Sequence, residues 1–509
     1  MKSSTLRTPS ATPAATTLSG PFTSAPARSR KANDVRKLTL SKMACIVSVF
    51  CVATAITSPA QTKFTSLFTF EGTNGANPHY VDLVQGLDGE LYGTTQVSTG
   101  TNGTVFKITT AGKLTTLHTF CTEGYPCTDG ATPYAGLMLD TNGNFYGTTT
   151  GGGANSDGTV FEITSGGKLT TLHSFDITDG YEPEVGLIQA TNGELYGTTS
   201  EGGTSADGTI YEMTSGGKLT SLLSFDGANG VYPDARLVQG TDGNFYGTTL
   251  EGSANSGTVF KITSAGKLTT LHKFDGTDGG GPTGALIQAT NGNFYGTTTG
   301  DGANSTGGTV FEITPAGKLT TLYSFCSKPD CTDGSTPYAG LIQATDGNLY
   351  GTTFNGGLSE PSCSGGCGTI FKITTAGKLT TLYNFCSKSG CTDGSSPDGG
   401  LVQDTNGTFY GTSYYGGTVG IGTVFSLSVG LGSFVKTLPA SGNVGAAIII
   451  QGTNLTGATK VSFNGTEAAF TVVSSTEIKT TVPTGATTGS VTVVTPSGTL
   501  KSNVAFRIP

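Results

Sequence analysis

The sequence predicts an all-β protein, a seven-bladed β-propeller followed by a small immunoglobulin-like β-sandwich. Three observations carry this. The motif Phe/Leu-Tyr-Gly-Thr-Thr/Ser occurs seven times, with its tyrosine at Tyr92, Tyr146, Tyr196, Tyr246, Tyr295, Tyr350 and Tyr410. The spacings of 54, 50, 50, 49, 55 and 60 residues mark a repeat architecture. Each period holds four short β-prone runs between turn signals, the pattern of a propeller blade.

Composition agrees. Charged residues are 12% of 509, Gly is 79, and there is no Trp. Gly supplies positive φ for tight turns and Thr suits pleated strands. Helix-forming runs of Ala, Leu, Glu and Lys are absent. Residues 1–60 hold eight Lys/Arg and one acid, so the other 19 basic and 34 acidic residues leave −15 for the rest. Such a surface repels phosphate backbones, which excludes nucleic acid as a partner.

Residues 1–60 read as a disordered leader plus an export signal. A Ser/Thr/Ala/Pro-rich tract cannot build a core. The basic stretch from Arg28 to Lys42 then precedes the apolar run MACIVSVFCVATAIT and a small-residue cut site before Gln61. At fifteen residues the run is shorter than the ~20 that span a bilayer. Phe50 makes Cys51 a poor lipidation site.

Residues 61–431 are the propeller. In the third copy the strands fall near 186–190, 194–199, 208–214 and 218–225, the first two joined by Asn-Gly, a strong hairpin signal. A Phe closes each copy, an Asp/Asn-Gly-x-x-Pro column opens the next, and a Gly-Thr-Val/Ile-aromatic run follows the tyrosine. Residues 64–70 (FTSLFTF) form a fourth-type strand with no blade before them, and the seventh copy lacks a fourth strand. The two are expected to pair, closing the ring and removing a free edge.

The Tyr-Gly-Thr-Thr, Gly-Gly and Gly-Thr-Val-Phe-Lys-Ile-Thr columns resemble the Gloeo/Verruco-type tandem repeat of secreted bacterial proteins. That resemblance implies an exported or surface repeat protein and attaches no activity. Residues 432–509 alternate apolar and polar residues in six or seven short runs, including 447–451, 460–463, 469–473, 477–482, 490–495 and 504–508. With Pro439-Ala-Ser-Gly442, Ile450-Gln-Gly-Thr-Asn-Leu455 and Phe463-Asn-Gly465, the segment resembles the IPT/TIG fold, which implies binding or spacing roles.

Eight cysteines outside the leader form four local pairs: Cys121/Cys127, Cys326/Cys331, Cys363/Cys367 and Cys386/Cys391. In an exported protein these read as disulfides, and no adjacent His favours zinc. Propeller geometry puts all four on one face, together with the loops of variable length, which makes it the functional face. The Asp/Asn column enters from the same side. Capping of its own turn accounts for it better than a Ca²⁺ ring does. His118, His173 and His272 share a column with Leu223, so that position is structural. Tyr125, Tyr134, Tyr181, Tyr232, Tyr338, Tyr414 and Tyr415 lie outside the repeat columns and are the candidate binding residues for a sugar or a protein.

No catalytic set, metal site or cofactor emerges, and no acidic pair departs clearly from the repeat. The expectation is therefore a monomeric, non-catalytic exported or cell-surface binding or adhesion protein, extracellular or periplasmic, without a transmembrane span once the signal is removed. It binds a glycan or protein through loops on one propeller face. The alternatives are a secreted carbohydrate-active hydrolase or lyase using Asp/Glu on that face, and a purely architectural role.

Overall fold

The computed structural model describes residues 62–252, 256–304, 307–361 and 363–508; the leader and its cut before Gln61 lie outside them. Seven four-stranded antiparallel sheets form the blades of the propeller. The third is representative: Ile188–Gln189, Leu195–Thr199, Thr209–Met213 and Leu219–Ser224, in that order from the channel outward. Residues of the second and third strands are buried almost throughout, because each blade packs on both faces.

Ring closure follows the expected pairing. Lys63–Thr69 lies antiparallel to Thr423–Ser428, with Phe64 opposite Leu427 and Ser66 opposite Phe425. The seventh blade is thus completed by Val402–Gln403, Phe409–Ser413 and the first strand of the chain. Phe64 stacks on Tyr383 of the sixth blade at 3.7 Å between ring centroids and meets Phe425 at 5.4 Å.

The repeat columns have separate physical jobs. In Tyr-Gly-Thr-Thr the glycine makes room for the aromatic of the next strand: a β-carbon on Gly147 would sit 2.5 Å from Cζ of Phe161. The tyrosine ring stacks on the neighbouring blade, as Tyr196 does on Phe245 at 4.1 Å. The first threonine bonds to the next blade's channel-lining segment in all seven copies, from Thr94 Oγ1 to the Ala135 carbonyl (2.7 Å) round to Thr412 Oγ1 and the Val81 carbonyl (3.3 Å). Each Pro packs on the Gly of the preceding Gly-Thr-Val/Ile run; a β-carbon on Gly158 would lie 2.6 Å from Cδ of Pro183.

The Asp/Asn column does cap its own turn. Asp129, Asp179, Asp278 and Asp333 accept the backbone N–H that follows the closing Phe or lies one residue on. Its partner across the loop is the structural His column: Nε2 of His118, His173 and His272 lies 2.7–2.9 Å from the carboxylate. Tyr323 and Tyr383 donate to Asp333 and Asp393 in the same way. Where the column holds Asn229, the partner is the apolar Leu223. A carboxylate occurs where a polar side chain can meet it, which is a structural match and not a cation ring.

The C-terminal domain is a sandwich of two four-stranded sheets around Val435, Ile448, Ile450, Val461, Phe463, Ile478, Val491, Val493 and Phe506. Its last strand is Gly498–Lys501; the 504–508 run makes only isolated bridges, through Phe506 and Arg507. The domain is held against the propeller. It docks against the tight-turn end of the propeller through Gln451 Nε2 to the Gln85 carbonyl (3.2 Å), Thr476 Oγ1 to Leu87 (2.7 Å), Arg507 Nη2 to Thr241 (2.7 Å) and the half-buried Lys436 Nζ to Gln403 (2.6 Å). An open cavity of about 420 Å³ lies between that face and Lys436, Leu438 and Gln451. No helix among the described residues is long and apolar enough to cross a membrane.

Phe64→Ala should lower unfolding stability by about 3 kcal/mol, since it removes a ring shared by two blades at the seam. Chemical denaturation measures this. A loss below about 0.5 kcal/mol, the range of ordinary surface changes, would show that the seam does not rest on this strand.

Candidate functional site

The loops from strand four to the next strand one and from strand two to strand three meet on one face. Isolated bridges tie them together, such as Ala131 with Gly151, Tyr181 with Glu201 and Ser395 with Tyr415. Four disulfides lie in these loops: Cys121–Cys127, Cys326–Cys331, Cys363–Cys367 and Cys386–Cys391. The last two are neighbours, with Cys363 Sγ 3.8 Å from Cys386 Sγ. Cys326–Cys331 closes the same Cys-Ser-Lys-x-x-Cys loop as Cys386–Cys391.

The chemistry on this face gathers at its centre. The residue after each Pro of the repeat points the chain into the channel, and this column abandons the sevenfold pattern: His79, Tyr134, Glu184, Asp234, Thr283, Tyr338 and Asp398. The first copy carries one extra residue here, Tyr80, held at φ 49°. Two positions beyond that column stand Asp82 and Arg236, where most copies have Gly. Of these, Tyr80, Asp82, Glu184, Asp234, Arg236, Thr283, Tyr338 and Asp398 line a cavity of about 370 Å³ at the channel mouth, with His79 and Tyr134 outside its lining. Below it, Arg236 Nη2 reaches across the channel to Asp82 Oδ2 at 3.8 Å, and Asp82 Oδ1 accepts the Gly400 N–H at 2.7 Å.

Burial dominates the electrostatics. Glu184 is pushed up to about 7 by burial and by the nearby Asp234 and Glu182, against a hydrogen bond from Ser200 (3.3 Å). Asp234 is raised to about 6, mainly by burial, with Ser200 again opposing and Glu201, Glu182 and Glu251 adding repulsion. Asp398 has a 1% exposed side chain, and both carboxylate oxygens lack a hydrogen-bond partner; burial raises its pKa well above the usual carboxylate range, partly offset by nearby backbone N–H groups, those of Tyr80 and Gly399 among them. His79 Nδ1 lies 3.8 Å from Asp398 Oδ2, yet burial lowers the imidazole to about 4, so it stays neutral at pH 7.

Of the seven candidate tyrosines, Tyr338 lines the cavity. Tyr134 and Tyr414 pack on His79 at 4.6 and 4.8 Å between ring centroids, forming an aromatic cluster with Tyr80. Tyr415 packs on Tyr414 but stays exposed. Tyr125, 86% exposed on its disulfide loop, and Tyr181 and Tyr232 belong to the surrounding rim. Sequence reasoning missed Glu184, Asp234, Asp398, His79 and Tyr80 as a group. The signal was present: one column, immediately after an invariant Pro, breaks the repeat in nearly every copy.

Models of the Gloeobacter/Verrucomicrobia repeat match residues 54–191, 184–362 and 328–461, and the IPT/TIG domain model matches 433–508. No curated protein matches the sequence. Among solved structures, a fungal alcohol oxidase of the AA5 family in complex with copper is 12% identical at a TM-score of 0.50, covering 89% of this chain and 100% of its own. A putative 6-phosphogluconolactonase from Bacteroides uniformis is 17% identical at a TM-score of 0.39, covering 61% and 84%. At these identities the likeness concerns the fold alone.

Raised carboxyl pKa values make a signed prediction. A folded state that holds its protons more tightly than the unfolded chain loses relative stability as pH rises from the unfolded to the folded pKa. For Asp234 and Glu184 that window runs from about 4 to 7. Thermal melts of the Glu184→Gln/Asp234→Asn double variant should therefore gain on the parent as pH rises through this window, His79 being common to both. Parallel curves would show that the two carboxyls are not perturbed.

Proposed function

The chain belongs to the Gloeobacter/Verrucomicrobia repeat family and carries an IPT/TIG domain, and on that premise we propose that it is a non-catalytic exported or cell-surface binding protein that receives a glycan or protein group in the channel mouth. One observation carries this reading. On a scaffold whose columns repeat seven times, five residues of the one column that breaks the repeat, Glu184, Asp234, Thr283, Tyr338 and Asp398, line a single cavity. Repeated positions hold the ring together; unrepeated ones face the ligand. The cavity volume lies at the lower end for small-molecule sites and fits one sugar-sized group. Tyr338 and Tyr80 offer ring faces and the acids offer hydrogen-bond acceptors. The disulfides and the lack of a membrane-crossing helix among the described residues are compatible with export.

A second reading has its own support. General acid and base chemistry on a polysaccharide needs one carboxyl protonated and a second ionised, and beside this cavity Glu184, at about 7, holds its proton more tightly than Asp234, at about 6. It calls for polysaccharide turnover that disappears in Glu184→Gln.

The binding reading is tested with a glycan array and a pull-down from cell envelopes. Tyr338→Ala should weaken whatever binds by about tenfold, or about 1.4 kcal/mol, whereas Tyr125→Ala on the rim should leave it unchanged. The opposite ranking, or no binding to any surface material, overturns it.

A further inference from the structure

We propose that the group received at the channel mouth is an organic ammonium ion, a protonated amine on a small molecule or on a sugar. This deepens the binding reading above and rests on it. The charge inventory of the cavity is one-sided. Asp82, Glu184, Asp234 and Asp398 line it, and its one lining base, Arg236, is directed at Asp82. Asp398 is buried with neither oxygen in a well-formed hydrogen bond, only the Tyr80 and Gly399 backbone N–H groups lying near it, and Asp234 Oδ1 is unsatisfied. A buried carboxylate so weakly met is costly, so the site favours uptake of protons or a cation. Neutral His79 cannot supply that charge.

The cation is organic. Among the described residues, the one group of three or more His, Cys, Asp or Glu side chains placed to hold a metal ion is Cys363, Cys367, Cys386 and Cys391, and these form two disulfides. The channel acids are too dispersed to coordinate one metal ion, and rings stand between them. Tyr80 meets Tyr338 at 5.7 Å and Tyr134 at 6.3 Å between centroids, with His79 4.2 Å from Tyr80. Acids interleaved with aromatic faces suit an ammonium group, which takes a carboxylate on one side and a π-face on another.

Proton linkage follows. Burial, together with Glu182, Glu201 and Glu251 on the loops, raises Glu184 to about 7 and Asp234 to about 6, where Arg236 and Tyr80 also line the channel. Glu184 is therefore part-protonated near neutrality, and Asp234 takes up its proton below it. An arriving cation favours their ionised forms and expels those protons. Affinity should rise with pH.

Calorimetry on the full chain tests this with 1,4-diaminobutane as a free amine and glucosamine as a sugar-borne one, against 1,4-butanediol and N-acetylglucosamine as uncharged counterparts. Either or both amines should bind at least about tenfold more tightly than their neutral counterparts, identifying the source. Binding should tighten by about tenfold or more between pH 5 and 7.5, with buffer-dependent heats that report proton release. Glu184→Gln and Asp398→Asn should each remove most of this preference; circular dichroism confirms folding, and Glu184→Gln stands alone if Asp398→Asn does not fold. Equal binding of N-acetylglucosamine, lost in Tyr338→Ala, overturns the ammonium inference and leaves the site intact. Absence of binding by both amines overturns the inference, while the glycan array independently decides the broader reading.

Discussion

Seven threonine hydroxyls, one per blade, each reach a backbone carbonyl on the neighbouring blade's entry to the channel. This ring of side chain to backbone bonds does two things at once. It satisfies carbonyls that the short inner strands leave outside the sheet ladders, which burial would otherwise make costly. It also fixes the chain just where the cavity is lined. The closing bond, Thr412 to Val81, exists only because the first strand of the chain sits in the seventh blade and brings the two ends of the ring together. Without closure the threonine ring is broken, and the channel mouth loses its defined wall.

On this symmetric frame the asymmetry is informative. The turn after the inner strand holds Asp with Lys across the blade, as in Asp242 and Lys261 (3.0 Å), or Asn with Glu, as in Asn142 and Glu162, where Tyr146 donates to the Glu (3.0 Å). Those acids are met inside their own blade, by a lysine in one case and by amide and hydroxyl groups in the other. At the channel mouth carboxylates gather from different blades, and Arg236 is the one lining base. Local structural needs therefore do not account for the acids there. The docked C-terminal domain adds a second constraint, because it covers the far end of the channel and places the polar mouth on the face that carries the disulfides.

Much of this was legible from residue columns. The period, the four strands per copy, the closing strand at 64–70 and the disulfide partners all depend on local pattern, and local pattern is what a repeat displays seven times. The Asp/Asn column was also readable as a turn cap, although its link to His118, His173 and His272 across the loop was not, since that contact joins residues on a strand to a loop. Tyr134, Tyr338 and Tyr414 were picked out as exceptions to the repeat; Tyr134 and Tyr414 pack on His79, and Tyr338 lines the cavity. Glu184 and Asp234 were exceptions of the same kind, one repeat period apart in the column after the Pro, but the repeat does not say which columns face one cavity.

The sequence by itself determined the blade, its number and the way the ring shuts, because each depends on short-range hydrogen bonding and on packing against an identical neighbour. Only the tertiary structure decided which side chains share the channel, and that the immunoglobulin-like domain covers its other end instead of standing apart. Distances across a closed ring are set by seven accumulated rotations, and no single stretch of chain contains that information.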